Sequence, residues 1–247
     1  MAAEAADWQP QFLDMDPVYG VVFARFCERQ GIHLPSLKFV LCSYEFVSVA
    51  HRRILQRVFG VPVFNLYGST ETGHLLMEDE QGEMRASLET AFLELPHTDA
   101  RGVGELAVTT LTNDFMPLIR YRIGDLVERH ESPYHTHYLV HGRVSDAFAG
   151  PNGARVTTWQ IDQCFTDVPG IAHYQLCERA GGEHLLRLVP DGTAPNAVEI
   201  DELKRRVGAV LGLQTGPVVQ QTDLLMPESS GKFRLGYPAK GPAATSV

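Results

Sequence analysis

Four short stretches carry residue types able to do chemistry: YGSTETGH at 67 to 74, YRIGDLVERH at 121 to 130, HGRVSD at 141 to 146 and PESSGKFR at 227 to 234. In the first, Gly68 and Gly73 have the G-x-x-x-x-G spacing of a phosphate-cradling loop, but position 74 is His where that loop needs Lys followed by Ser or Thr. The last contains Gly-Lys, yet Met226 stands where the first Gly of such a loop belongs. Neither is a Walker loop. Each stretch also has a plain reading: a polar strand-to-loop turn at 67 to 71, a Gly-Asp turn dipeptide at Gly124 and Asp125, and a surface lysine in a Gly-Ser loop at Lys232. His135 and His137 alternate on a presumed strand and so share a face. That spacing can ligate a metal, although no third ligand stands nearby in the sequence.

The flanking periodicities predict the elements that hold these residues. Residues 1 to 12 are Ala-rich and acidic with no period and read as a frayed lead-in. After Asp16-Pro17, the apolar positions Val18, Val22 and Phe26, with Val21 beside them, predict a helix ending at Gly31. LKFVL at 37 to 41 predicts a strand, Val49, Ile54, Leu55 and Val58 a second helix closed by Gly60, and VPVFNLYG a buried strand. Strand, helix and strand with short connections make a βαβ unit, whose parallel sheet binds ligands at its carboxyl ends. YGSTETGH is expected as the loop there. From 88 to 141 the runs AFLEL, GELAVTTL, PLIRYRI, DLVERH and HYLVHG, separated by turn residues, predict a small antiparallel sheet or barrel. The Gly- and Pro-rich stretch 145 to 156 reads as a linker and hairpin turn. Beyond it come a helix over 158 to 165, strands at IAHYQLCER and HLLRLVP, and a helix capped by Asn196 with Glu199 three residues on and a stripe of Leu203, Val207, Val210 and Leu211. The domain boundary falls near 142 to 146.

Composition narrows the function classes. The 247 residues suffice for one large or two modest domains, and the composition is ordinary globular. A net charge of -9 with no dense Lys/Arg run argues against a nucleic-acid partner, and Arg52, Arg53 and Arg57 read as a solvated helix face. Cys27, Cys42, Cys164 and Cys177 have no C-x-x-C spacing and read as buried, reduced thiols. There is no apolar run long enough for a membrane span and no signal-peptide pattern, so a cytoplasmic protein is expected.

Taken in order, the four stretches resemble the acyl-adenylate-forming (AMP-binding) enzyme superfamily: YGSTE its Y-G-x-T-E motif, YRIGDL its Y-R-T-G-D-L segment with Ile123 for Thr, GRVSD its G-R-x-x-D hinge, and PESSGKFR, more loosely, its P-x-x-x-S-G-K-x-x-R element. LCSYE and VTTWQIDQCF are most similar to the phenylacetate-CoA ligase branch. The resemblance implies an α/β plus α+β architecture. Residues 1–142 would be the C-terminal part of the large domain (βαβ over 1–85, β subdomain over 86–142), 143–146 the hinge and 147–247 a separate small α+β domain. It implies ATP/AMP, Mg2+ and CoA as cofactors and a small-molecule carboxylic acid as substrate. The implied roles are adenine contact by Tyr67 in the Tyr67-Gly68 cofactor-binding turn, α-phosphate contact by Thr70 and Mg2+ binding by Glu71. Asp125 would chelate the ribose and Arg143 contact the nucleotide, with Asp146 the pivot and Lys232 the catalytic cation. The chain departs from the family after the hinge, where AFAGPNGARV replaces a Lys and an isoleucine-like residue while Gly153 remains for the following hairpin. Nothing in residues 1 to 66 resembles the family's Ser/Thr/Gly-rich phosphate loop. Three readings of that gap stay open: a fragment of a longer ligase, a naturally split subunit that needs a partner chain carrying the missing part, or a shortened relative that only binds a nucleotide or acyl-adenylate; a homodimer is the other partner expectation.

Overall fold

Asp16 sets the start of the first long helix, because its carboxylate accepts the Val18 and Tyr19 N–H groups while Pro17 occupies the first turn, and Gly31, at φ 64°, closes the other end. The computed structural model describes residues 2–239, so Met1 of the predicted lead-in and residues 240–247 of the predicted C-terminal domain lie outside it. It divides into two compact units, Met1–Gly142 and Arg143–Val247. Unit 1 begins with α1 (Ala2–Trp8), β1 (Phe12–Met15), α2 (Pro17–Gln30), β2 (Phe39–Cys42), α3 (Val49–Phe59) and β3 (Val63–Ser69). Strands β1, β2 and β3 are parallel, in register at Phe12↔Phe39 and Val40↔Val63.

Three expectations change here. The lead-in forms a helix and leads into a sheet strand, because Phe12 gains a ladder partner in β2 and stacks on Phe39 with ring centroids 5.5 Å apart. The buried stripe of α2 runs through Val18, Val21, Ala24 and Cys27, while Val22 and Phe26 are exposed. The cause is close packing of small residues: a Cβ on Gly20 would lie 2.7 Å from the Met15 sulfur. Nor is Arg52 merely solvated, since it donates to the Glu78 carboxylate at 2.7 Å and to the Val63 carbonyl, tying α3 to the sheet.

The rest of unit 1 is antiparallel: β4 (Gly73–Glu78), β5 (Met84–Ala86), β6 (Ala91–Glu94), β7 (Val103–Thr110), β8 (Tyr121–Glu131) and β9 (Thr136–Arg143). All nine strands form one mixed sheet, ordered β1-β2-β3-β4-β5-β9-β8-β7-β6, so the predicted βαβ unit and β subdomain share a continuous ladder. Strands β5 and β9 are registered by one pair, Met84↔Tyr138. Leu75, Leu76, Leu106, Val108, Ile123, Val127 and Tyr138 pack as one core cluster. PLIRYRI and DLVERH, expected as separate runs, are joined because Tyr121–Glu131 is a single strand with Gly124 at φ 85° inside it.

Unit 2 holds β10 (Phe148–Ala149), β11 (Arg155–Val156), α4 (Thr158–Gln163), β12 (Ile171–Glu178), β13 (His184–Pro190), α5 (Ala197–Leu211), β14 (Val218–Gln221) and β15 (Gly236–Tyr237). β10 and β11 form the expected hairpin over a turn with Asn152 and Gly153 at φ 56° and 74°. Reciprocal capping boxes start α4 (Thr157 with Gln160) and α5 (Asn196 with Glu199). The four-stranded sheet is ordered β14-β13-β12-β15, antiparallel only between β12 and β13. At its centre Tyr174 stacks on Phe165 with centroids 3.9 Å apart and donates its hydroxyl to the Asp162 carboxylate at 2.9 Å. Among the described residues, no helix is long and apolar enough to cross a membrane.

Candidate functional site

YGSTE is not the loop after a parallel strand. Tyr67, Gly68 and Ser69 are the last residues of β3, which turns back directly into β4 with Ser69 paired to Gly73. Thr70, Glu71 and Thr72 are therefore a three-residue hairpin turn, with Gly73 at φ 71° accommodating the return. The turn is set from within: the Thr72 N–H donates to the Ser69 hydroxyl at 3.2 Å, and the two hydroxyls lie 2.9 Å apart. Thr72 is buried, which leaves Thr70 and Glu71 as the exposed hydroxyl and carboxylate of the motif. Gly68 has a steric cause of its own, because a Cβ there would sit 2.2 Å from the Gly73 carbonyl oxygen and 2.9 Å from the His74 Cα.

Asp125 owes its placement to an irregularity in β8. The register steps from Glu105↔Leu126 to Ala107↔Arg122, so Ile123, Gly124 and Asp125 together face Leu106. That is a bulge with two extra residues, and Gly124 at φ 85° supplies the backbone turn it needs. The bulge buries Asp125 to 6% exposure between the buried Ile123, Leu126 and Val127. Its Oδ2 accepts a 2.8 Å hydrogen bond from the Tyr67 hydroxyl, 58 residues away in sequence. Strands β3 and β8 are not neighbours in the ladder, so the sheet curls enough to bring the first two motifs into contact. The geometry presents a buried carboxylate, a group with about four acceptor positions, beside an aromatic ring.

In unit 2, Arg143 is exposed and leads into a 3-10 turn, Val144–Asp146, that ends in the buried Asp146. The Asp146 carboxylate accepts the Ser145 hydroxyl at 2.7 Å and the Arg234 guanidinium at 2.6 Å. Arg234 also pairs with Glu228 at 3.3 Å, donates to the Ser145 carbonyl at 3.2 Å and lies 4.7 Å from the centre of the Tyr237 ring. Lys232 is exposed on the turn this arginine braces: the Glu228 N–H donates to the Lys232 carbonyl at 2.8 Å, and Gly231, at φ 83°, donates to the Glu228 carbonyl at 2.9 Å. Beside it, His173 meets the Phe233 ring edge to face at 5.7 Å, and burial pushes its pKa down to about 4. Sequence reading missed Glu228 and His173 and gave Arg234 no role. The signal for Arg234 was its place in the lysine motif, two residues after Lys232.

The four cysteines are free. Burial pushes Cys42 up to about 12 and Cys164 up to about 11, so both are held as neutral thiols that cannot serve as nucleophiles near neutrality.

No family model matches the chain. It is 34% identical over 122 residues to "Protein CapK" of Staphylococcus aureus, covering 49% of this chain and 27% of that protein. It is 28% identical over 197 residues to a phenylacetate-coenzyme A ligase of Thermus thermophilus, covering 71% of this chain and 44% of that enzyme. Among solved structures, a 2-hydroxyisobutyryl-CoA ligase in complex with R3-HIB-AMP matches with a TM-score of 0.76 at 20% identity over 97% of this chain and 56% of its own. An anthranilate CoA ligase in complex with anthranoyl-AMP matches at 0.69 and 15% identity, with 95% of this chain and 51% of its own covered. The chain thus spans roughly a quarter to a little over half of the proteins it matches.

Proposed function

From the premise that this chain belongs to the acyl-adenylate-forming superfamily, with phenylacetate-CoA ligases among its relatives, we propose that it takes part in ATP-dependent activation of a small carboxylic acid and transfer of the acyl group to CoA. The observation that supports this most directly is the Tyr67–Asp125 hydrogen bond, which unites two motifs far apart in sequence around one buried carboxylate. In the first half-reaction the acid's carboxylate oxygen bonds to the ATP α-phosphorus and the bond to the β-phosphate oxygen breaks, releasing pyrophosphate. In the second, the CoA sulfur attacks the acyl carbon and AMP leaves.

The residues take roles their chemistry suits. Asp125 accepts both ribose hydroxyls, Tyr67 packs by the adenine while its hydroxyl fixes the Asp125 carboxylate, and Arg143 contacts the nucleotide. The Thr70 hydroxyl donates to the α-phosphate. Glu71 offers one carboxylate at an exposed turn, a donor that suits Mg2+ completed by phosphate oxygens and water; bound there, Mg2+ neutralises phosphate charge. Lys232, an exposed ammonium on a braced turn, offsets negative charge growing between the carboxylate and the α-phosphate. Asp146 is the pivot of the small unit.

The test is acid-dependent exchange of radiolabelled pyrophosphate into ATP across aryl acetates, benzoates and short aliphatic acids. Exchange with at least one acid, lost in Lys232→Ala, supports the reading. Nucleotide binding without exchange for any acid favours a second reading, a nucleotide- or acyl-adenylate-binding module that needs a partner for catalysis. The chain spans 44% of the Thermus ligase's length, and residues 1 to 66 contain no phosphate-loop pattern.

A further inference from the structure

Glu83 lies immediately before β5, and His135 and His137 lie just before and within β9. Among the described residues they are the group of three whose donor atoms converge, all within 4.8 Å of one another. His135 Nε2 is 3.2 Å from Glu83 Oε2, and His137 Nδ1 is 3.6 Å from Glu83 Oε1. The two imidazoles approach the carboxylate through different oxygens, so closing both rings and one Glu83 oxygen on a zinc ion, with bonds of about 2.0 to 2.2 Å, takes a small side-chain adjustment. The 3.6 Å separation is too long for a hydrogen bond. His137 Nδ1 is nevertheless buried and has no hydrogen-bond partner, an arrangement that leaves its lone pair or proton unused. The ring is held in place by His130, which stacks on it with centroids 4.9 Å apart and planes 10° apart, while His130 Nε2 is itself 3.2 Å from Glu128. Arg85 is a competing cation. It pairs with Glu83 through Oε2 and with Asp79 at 2.7 Å, so two carboxylates and one guanidinium leave the neighbourhood negative and Oε1 facing His137.

We infer that Glu83, His135 and His137 form a binding site for a divalent metal of the zinc class, distinct from the nucleotide motifs, with the fourth position open to water. The site has a place to act. Glu83 adjoins Met84 and His137 adjoins Tyr138, and Met84↔Tyr138 is the single pair that registers β5 against β9 in the nine-stranded sheet. A metal bound there staples the sheet at this single-pair joint, linking a strand of the YGSTE hairpin's side to the strand that follows the Asp125 strand. His135 is exposed and Glu83 and His137 are half-buried, so a metal enters from the His135 side and substitution of these residues leaves the core intact.

The experiment uses the untagged chain, stripped of metal with a chelator. Zn2+ is titrated in competition with a chromophoric chelator, and Co2+ is added as a spectroscopic probe. One Zn2+ per chain is expected. His137→Ala and Glu83→Gln should each weaken it about tenfold or more, Co2+ should give the intense visible bands of a four-coordinate site, and bound Zn2+ should slow amide hydrogen exchange at residues 84–86 and 136–140. Stoichiometry and affinity unchanged by both substitutions, or exchange protection that appears elsewhere, would show that the metal sits on other histidines and overturn the site. Absence of saturable binding would overturn it as well. Pyrophosphate exchange is not a readout here, so failure of the ligase proposal leaves this result standing.

Discussion

Tyr67 and Gly68 are fixed by the backbone ladder of the nine-stranded sheet and Asp125 by a bulge within it, whereas Lys232 rides on a turn outside any ladder, braced by the side chain of Arg234. The sheet residues are placed by close backbone approach at Gly68 and by a bulge at Gly124, steric and conformational consequences of where glycine falls. The lysine turn is placed by ionic contacts that solvent partly reaches, with 29% exposure at the Arg234 side chain and 11% at Asp146. A grip for a ligand gains from rigidity. In the proposed two-step reaction, a cation that serves one half is better carried on a support that can let go, and ion pairs are such a support.

The difference can be sharpened by perturbing each side in turn. Lys232→Ala should lower acid-dependent pyrophosphate exchange by about 100- to 1,000-fold, the scale of removing one preorganised charge-stabilising donor. Its thermal midpoint should stay within a degree of the parent, because the residue is exposed; a comparable stability loss would break the comparison.

Acid should act on the second unit next. The folded pKa of His173 is depressed to about 4 from an ordinary value of 6.5, so the unfolded chain takes the proton first. Stability from this group is complete above about pH 6.5 and declines as pH falls towards 4, by up to about 3 kcal/mol. Urea unfolding followed by Trp159 fluorescence in a Trp8→Phe background measures it, and His173→Leu should flatten the slope over that window.

Arg234→Met should cost about 2 kcal/mol, less than a fully buried pair because both partners retain some solvent. The loss should couple in a double-mutant cycle with Asp146→Asn, and exchange should fall with a larger effect on kcat than on KM. Equal effects on both constants would mean that Arg234 supports the unit without positioning Lys232. Tyr67→Phe is the mildest change. Losing one hydrogen bond to a buried carboxylate should weaken AMP binding by about 1 kcal/mol, read by calorimetry, while Gly68 keeps the hairpin in place.

Local chemistry was legible in the sequence where its cause is local. Asp16, Gly31, Gly60, Asn196 and Glu199 mark helix ends by bonds within a few residues, and the structure shows each of those ends. Strands β1 and β15 were not legible, since Phe12 and Gly236 become strand residues only through distant partners at Phe39 and Leu176. The face of α2 misled because Ala24 and Cys27 bury more completely than Val22 and Phe26, an outcome of close packing that hydropathy does not encode. The motif residues could be named from sequence, but the curl that joins Tyr67 to Asp125 and the approach of Glu83 to His137 depend on strand order, which no spacing reveals.

The bulge opposite Leu106 adds two residues to β8, an even number. Side chains alternate with a period of two, so the strand recovers its parity beyond the bulge and Val127 still points into the core. Strand β8 therefore tolerates length changes only in pairs: excising Gly124 and Asp125 together would straighten the ladder with its apolar face intact, while excising Gly124 alone would turn Leu126, Val127 and all that follows inside out.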